Sequence, residues 1–202
     1  MKVKIERVTK FKYKYLGSQI SSSFDDITER TNAAYRTFWK MMKIWKSKDI
    51  KEEIKIKIFH CTCIPICLYG CESWILTEKS KAKLNVFAMN CYRIILNISK
   101  LDREKNEDIL KRINKKPIIK IVRNRQLKFL SKILNSNDNV IAKEYILYEP
   151  VHGKRKRGRP RLSYNNHVKS LTNKSITDLV RIIKDPDKHL WNALIYVVNV
   201  FE

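Results

Sequence analysis

The segment Ile64-Pro65-Ile66-Cys67-Leu68-Tyr69-Gly70-Cys71-Glu72-Ser73-Trp74 constrains this chain more than any other. It holds the longest apolar run in a lysine-rich sequence, and such a run is stable only out of water. It falls well short of the roughly 18–20 apolar residues of a membrane-spanning helix, so its cover must come from protein. Amphipathic helices on either side can supply that cover. Tyr69 and Trp74 each bring large apolar area with a polar tip, so each is expected to pack while its OH or NH finds an acceptor. Gly70 suits a turn or a close approach of backbone.

Before the run, residues 2–16 alternate, with Val3, Ile5, Val8, Phe11, Tyr13 and Tyr15 among Lys, Glu and Arg; this predicts a strand or hairpin closed at Leu16-Gly17. Helical spacing then takes over. Asp25-Asp26 offers an N-cap for a helix over 26–46 striped by Ile27, Ala34, Phe38, Met41 or Met42, and Trp45. Asp49 with Glu52 resembles a capping box for a second helix, striped by Ile50, Ile54, Ile58 and Cys61, which Pro65 ends or kinks. Thr77 can cap a third, with Leu84, Phe87, Cys91, Ile94 or Ile95, and Ile98 on its apolar side. A shorter helix is expected near 104–113. Pro117 suits the first turn of the next, whose apolar face reads Ile118, Ile121, Val122, Phe129, Leu130, Ile133 and Leu134. Short helices are expected at 139–148, 163–171 and 176–184, and a stronger one over 186–200, opened by Asp185-Pro186 and burying Trp191, Leu194, Ile195 and Val198. The expected fold is mainly α: a helical core with a short N-terminal β-hairpin and a basic extended arm before C-terminal helices. Four units follow: a hairpin over 1–24, a helical domain over 25–148, an arm over 149–162, and a helical tail over 163–202.

Charge bounds the partners. The 202 residues carry 43 Lys and Arg against 20 Asp and Glu, a net +23, a field that draws polyanions and above all nucleic acid. A membrane partner is not expected. The first residues carry no signal-peptide apolar core, which points to an intracellular protein, expected to be nuclear. Two stretches concentrate the charge. In the arm, Lys154, Arg155, Lys156, Arg157, Arg159 and Arg161 surround Gly158 and Pro160. An extended Arg-Gly-Arg-Pro segment can lie in a narrow A·T-rich minor groove, as an AT-hook does, with neighbouring lysines on phosphates. The same composition fits a nuclear-import patch or a solvated linker. Residues 109–137 contain no acid, and there Lys115, Lys116, Lys120, Arg123, Arg125 and Lys128 are candidates for backbone contacts. On the helix after Pro117, Lys120, Arg123 and Lys128 can stand off the apolar stripe. The bland alternative is a solvated face.

Chemistry is harder to find. Cys63, Cys67 and Cys71 recur every fourth residue, beside His60 and Cys61, but Pro65 interrupts them and no second ligand pair follows, so small buried hydrophobes are the better reading and no metal site is expected. Five cysteines in a reducing compartment argue against a disulfide framework. Asp25-Asp26 is the one adjacent aspartate pair, and capping accounts for it. No carboxylate set for two-metal phosphoryl transfer and no nucleophilic triad is evident, so no catalytic residue is assigned.

The segment Phe11-Lys12-Tyr13-Lys14-Tyr15-Leu16-Gly17-Ser18, a helix, and then Leu68-Tyr69-Gly70-Cys71-Glu72-Ser73-Trp74 together resemble the C-terminal part of a LINE-type (non-LTR) retrotransposon reverse transcriptase. That family reads Phe-Lys-Tyr-Leu-Gly-Ser after its palm and Leu-Tyr-Gly-x-Glu-x-Trp about fifty residues on; Lys14 is an extra residue here. Arg125-Gln126-Leu127-Lys128-Phe129-Leu130 resembles the family's arginine-rich helix. Gly158-Arg159-Pro160-Arg161 with Tyr164 in place of a frequent Trp, and Asp187 followed by Trp191, extend the resemblance over nearly the whole chain. It implies signature positions at Tyr15, Leu16, Gly17, Tyr69, Gly70, Glu72, Trp74 and Trp191. It also implies that the Tyr-x-Asp-Asp strand and its Mg2+ belong to a palm upstream of this sequence, a possible packing partner. The expected role is then a thumb-side, nucleic-acid-gripping region of an RNA-directed DNA polymerase without polymerase residues of its own. A working polymerase, a relic without function, and a basic DNA-binding protein using its arm are the alternatives.

Overall fold

The computed structural model describes residues 14–19, 22–136, 141–147, 164–185 and 189–200. The basic arm at 154–161, Asp187, and everything before Lys14 lie outside the described residues. The described chain is mainly α-helical, as expected. A two-residue antiparallel ladder, β1 (Lys14–Tyr15) and β2 (Ser18–Gln19), turns at Leu16 and Gly17, both at positive φ. The remainder of the expected hairpin is not among the described residues.

Helix α1 (Ser23–Lys40) is capped by Ser22, whose hydroxyl accepts from the Asp25 amide, so Asp25 and Asp26 sit inside the first turn rather than at the cap. There their negative charge suits the helix dipole. The single helix expected over 26–46 is broken at Met41. The Phe38 carbonyl, orphaned at the helix end, accepts both the Met41 amide and the Trp45 indole N–H (2.8 Å), and Trp45 folds back to stack on Phe38 at 5.1 Å. The short α2 (Met42–Lys46) carries that turn.

Helix α3 (Glu52–Cys67) starts after Lys51 with no side-chain cap, so the expected capping box from Asp49 does not form. Pro65 lies within its last turn, where it offers no amide to the Cys61 carbonyl, and the helix ends two residues later at Cys67. The expected stripe is also shifted. Ile56, Phe59, Cys63, Ile64 and Cys67 are buried, whereas Ile54 and Cys61 are exposed. This helix has apolar residues around most of its circumference, so periodicity leaves its rotation undetermined. Tertiary packing settles it: Phe59 meets Phe38, Tyr92 and Phe87 with centroids 5.9, 5.3 and 6.1 Å apart.

Helix α4 (Glu78–Ile95) is capped by Thr77 as expected and buries Leu84, Phe87, Cys91 and Ile95. After a 3-10 turn and α5 (Asn106–Arg112), α6 (Ile118–Leu134) runs across two apolar clusters. Residues from Ile27 to Val122 form the first, and the second joins the Leu127–Leu134 half of α6 to α7 (Ile141–Leu147), α8 (Tyr164–Thr172), α9 (Ile176–Lys184) and α10 (His189–Val200). Trp191 and Leu194 are buried there, while Ile195 is half-buried against them. No described helix is long and apolar enough to cross a membrane.

Candidate nucleic-acid interface

The segment that dominated the sequence becomes the junction of the fold. Gly70 adopts φ +71, and a Cβ there would lie 2.9 Å from the Ser18 hydroxyl. This close approach explains the glycine. The Tyr69 hydroxyl donates to the Leu16 carbonyl at 3.0 Å. The Arg30 guanidinium donates to the Gly17 carbonyl and lies 4.3 Å over the Tyr69 ring. Trp74 is buried, and its indole donates to the Asp26 carboxylate at 2.8 Å, with Arg30 3.8 Å from the other oxygen. Asp26 therefore orders the core. Two sequence motifs about fifty residues apart thus interlock around α1.

The same segment receives α6. Arg125 binds the Glu72 carboxylate at 3.0 Å and the Leu68 carbonyl at 3.2 Å. Gln126, 2% exposed, donates to the Cys71 and Trp74 carbonyls at 3.0 and 2.8 Å. Its oxygen meets the His167 ring at 3.2 Å, which ties α8 to the junction. Burial, with Lys81 and Arg123 nearby, lowers the His167 pKa to about 4. His60, sharing a 2.8 Å hydrogen bond with Tyr92, is likewise lowered to about 4 by burial and then by Lys115. Burial holds the Tyr164 hydroxyl up at about 12, with Glu72 adding to it.

The basic candidates separate. Lys116 and Lys128 are exposed, and Lys115 and Lys120 are half-buried. Arg123 departs from the expected charged face: at 5% exposure it is buried. The buried line of α6 runs through Ile119, Val122, Gln126, Leu130 and Ile133, and Arg123 falls within it one turn after Ile119. Arg125 is paired with Glu72, so part of its hydrogen-bonding capacity is spent within the protein. Lys120 and Arg123 nonetheless share a hollow of about 460 Å³ between α4 and α6, together with Lys81, Asn85 and the opposing Glu78. Lys81 was not singled out in the sequence; it pairs with Glu78 at 2.9 Å. Lys115 instead lines a mixed-charge hollow of about 280 Å³ with Glu52, Glu53 and Arg112.

Of the cysteines, Cys63, Cys67, Cys71 and Cys91 are buried, and burial raises every one of their thiol pKa values, that of Cys71 to about 12. They pack as neutral apolar groups. Among the described residues no group of three or more His, Cys, Asp or Glu is placed to hold a metal ion.

Sequence reasoning also missed Trp39, which is 53% exposed. The signal was present: Trp39 lies off the Ile27–Ala34–Phe38 stripe, in a stretch from Arg30 to Lys48 with six basic residues and no acid. Comparisons with family models, curated proteins and solved structures return no match.

Proposed function

We propose that the chain binds nucleic acid as the thumb-side, C-terminal part of a LINE-type (non-LTR) retrotransposon reverse transcriptase, with polymerisation left to carboxylates the family carries upstream of its first motif. The observation that carries the proposal is the charge: a net +23 with acid-free runs at 30–48 and 109–137 and a basic arm at 154–161. A duplex or RNA–DNA hybrid presents a matching line of phosphates, and binding releases its condensed cations. Support for the parentage comes from the interlock of the two resembling motifs, since Tyr69 bonds Leu16 and Gly70 abuts Ser18.

The basic contribution divides in two. The arm residues Lys154, Arg155, Lys156, Arg157, Arg159 and Arg161 contact groove or phosphate, and double as an import signal for a nuclear protein. On the helical body, Lys116, Lys120, Lys128 and Lys81 contact phosphates, while Arg123 and Arg125 support the fold from within. The exposed side of the β1–β2 turn, where Tyr15 and Leu16 face solvent, is a place for a palm to pack.

The test replaces the six arm residues by Gln, and separately Lys116, Lys120 and Lys128, and follows affinity for duplex and hybrid against salt. Losing six phosphate contacts should reduce the slope of log K against log salt by about 5, and losing three by about 3. Unchanged slopes in both variants, or wild-type binding that ignores salt, would overturn the proposal.

A further inference from the structure

Trp39 stands on α1 one turn after Tyr35, and both rings border an open hollow of about 540 Å³ against Asn90, Arg93, Ile94 and Ile98 of α4 and the segment after it. A second hollow of about 270 Å³ shares Asn90 and Arg93 and extends past Ser99 to Arg103 and Glu104. The two hollows adjoin at Asn90 and Arg93, so an aromatic and apolar lining meets a more polar one that holds Arg103, and we treat them as one trough.

Its walls are held in place. Tyr35 packs edge-on to Phe87 at 4.8 Å, and its hydroxyl accepts from Asn90 at 3.4 Å. Trp39 meets the buried Phe38 in a T-shaped contact at 5.9 Å, yet its side chain remains 53% exposed at the rim of the hollow. Arg93 is steadied by donating to the Glu104 carbonyl at 3.0 Å. Among the described residues, Glu104 is the only carboxylate lining the trough. Arg36 and Lys40 are exposed on α1 beside Trp39.

A large exposed aromatic ring among cations is poorly suited to a B-form duplex, whose bases are stacked on each other. It suits unpaired nucleotides: every base offers a π face, and the phosphates between bases seek Arg and Lys. A protein partner using the apolar end alone would leave the cationic end unanswered. We infer that this trough is a single-strand nucleic-acid site in which a nucleobase stacks on Trp39 while Arg93 and Arg103 hold the adjoining phosphates. The inference rests on the nucleic-acid reading above and deepens it, assigning unpaired template or primer to this face and duplex to the lysines of α4 and α6.

The experiment titrates the full chain with a single-stranded oligonucleotide, the same strand with abasic sites, and its duplex. Affinities of all variants are read from the anisotropy of a labelled strand; Trp45, Trp74 and Trp191 are buried, so quenching of tryptophan emission in wild type reports chiefly on Trp39. Trp39→Ala should weaken single-strand binding roughly 5- to 150-fold, with duplex affinity held within about twofold. Trp39→Phe should retain most of the affinity, and far-UV circular dichroism should show all variants folded. Abasic strands should bind wild type about as weakly as intact strands bind Trp39→Ala.

Equal single-strand affinity in wild type and Trp39→Ala would overturn the inference while salt-dependent duplex binding kept the broader proposal standing. Equal losses for single strand and duplex would overturn stacking as well. So would self-association of wild type that Trp39→Ala abolishes without any change in nucleic-acid binding. Absence of binding to every nucleic acid would remove both proposals together.

Discussion

Replacing Gln126 by Met tests whether the junction between the two apolar clusters is as dry as the structure indicates. Methionine keeps nearly the same length and volume, so little cavity opens. What disappears is the amide that donates to the Cys71 and Trp74 carbonyls and accepts at His167. The two carbonyls do not suffer equally. Cys71 O still receives the Trp74 amide at 3.3 Å, so it loses only the net worth of one bond, about 1 kcal/mol. The Trp74 carbonyl loses its donor in a site 2% exposed at Gln126, which costs about 1–3 kcal/mol. The two carbonyls alone give a loss of about 2–4 kcal/mol, before the His167 bond is counted, and that is a large fraction of the roughly 5–15 kcal/mol that stabilises an ordinary domain. Urea unfolding followed by circular dichroism measures it, with Lys128→Met on the exposed side of the same helix as control, expected within about 0.5 kcal/mol. Because Gln126 also anchors His167, limited proteolysis should release residues beyond 164 sooner in the variant. A loss below about 0.5 kcal/mol would mean water reaches those carbonyls, and the junction would not hold the helices as described.

Gly70→Ala combines a left-handed backbone with a Cβ 2.9 Å from Ser18, so a loss of at least about 1–2 kcal/mol is expected, measurable by thermal unfolding; Gly70→Ala combined with Ser18→Gly should recover only the part due to the clash. The histidines give a pH dependence with a definite sign. His60 and His167 are both lowered to about 4, so the unfolded chain binds more protons than the folded one between about pH 6.5 and 4. Their contribution is complete above about pH 6.5 and is lost as pH falls toward 4. The urea midpoint should therefore fall over that window, and a His60→Gln, His167→Gln double variant should show a shallower fall. An unchanged profile would place both rings in water.

The helices themselves were legible because their signals are local. Thr77 as a cap, the Leu84–Phe87–Cys91 spacing and Pro117 before α6 all depend on neighbours three or four residues away. Rotation about the helix axis was legible only where one side is polar. On α4 it succeeded. On α3, with apolar residues nearly all round, the expected line through Ile54 and Cys61 lost to one through Phe59 and Cys63. On α6, which has a polar side, the expectation still missed at two positions: Phe129, expected on the apolar face, is 41% exposed, and Arg123, expected off it, is buried beside Ile119, Gln126 and Leu130.

The candidate site divides along the same line. From its sequence alone the chain determined a strongly cationic, mainly helical molecule whose apolar segment at 64–74 had to be enclosed, because charge sums without regard to folding and helical periodicity is written in short intervals. Only the tertiary structure decided which groups meet. Tyr69 with Leu16, Trp74 with Asp26, Arg125 with Glu72, and Trp39 beside Arg93 are all separated by about fifty residues, and no local rule reaches that far. Those pairings depend on how whole helices dock, and docking is governed by the shape of the buried faces rather than by any one residue's preference.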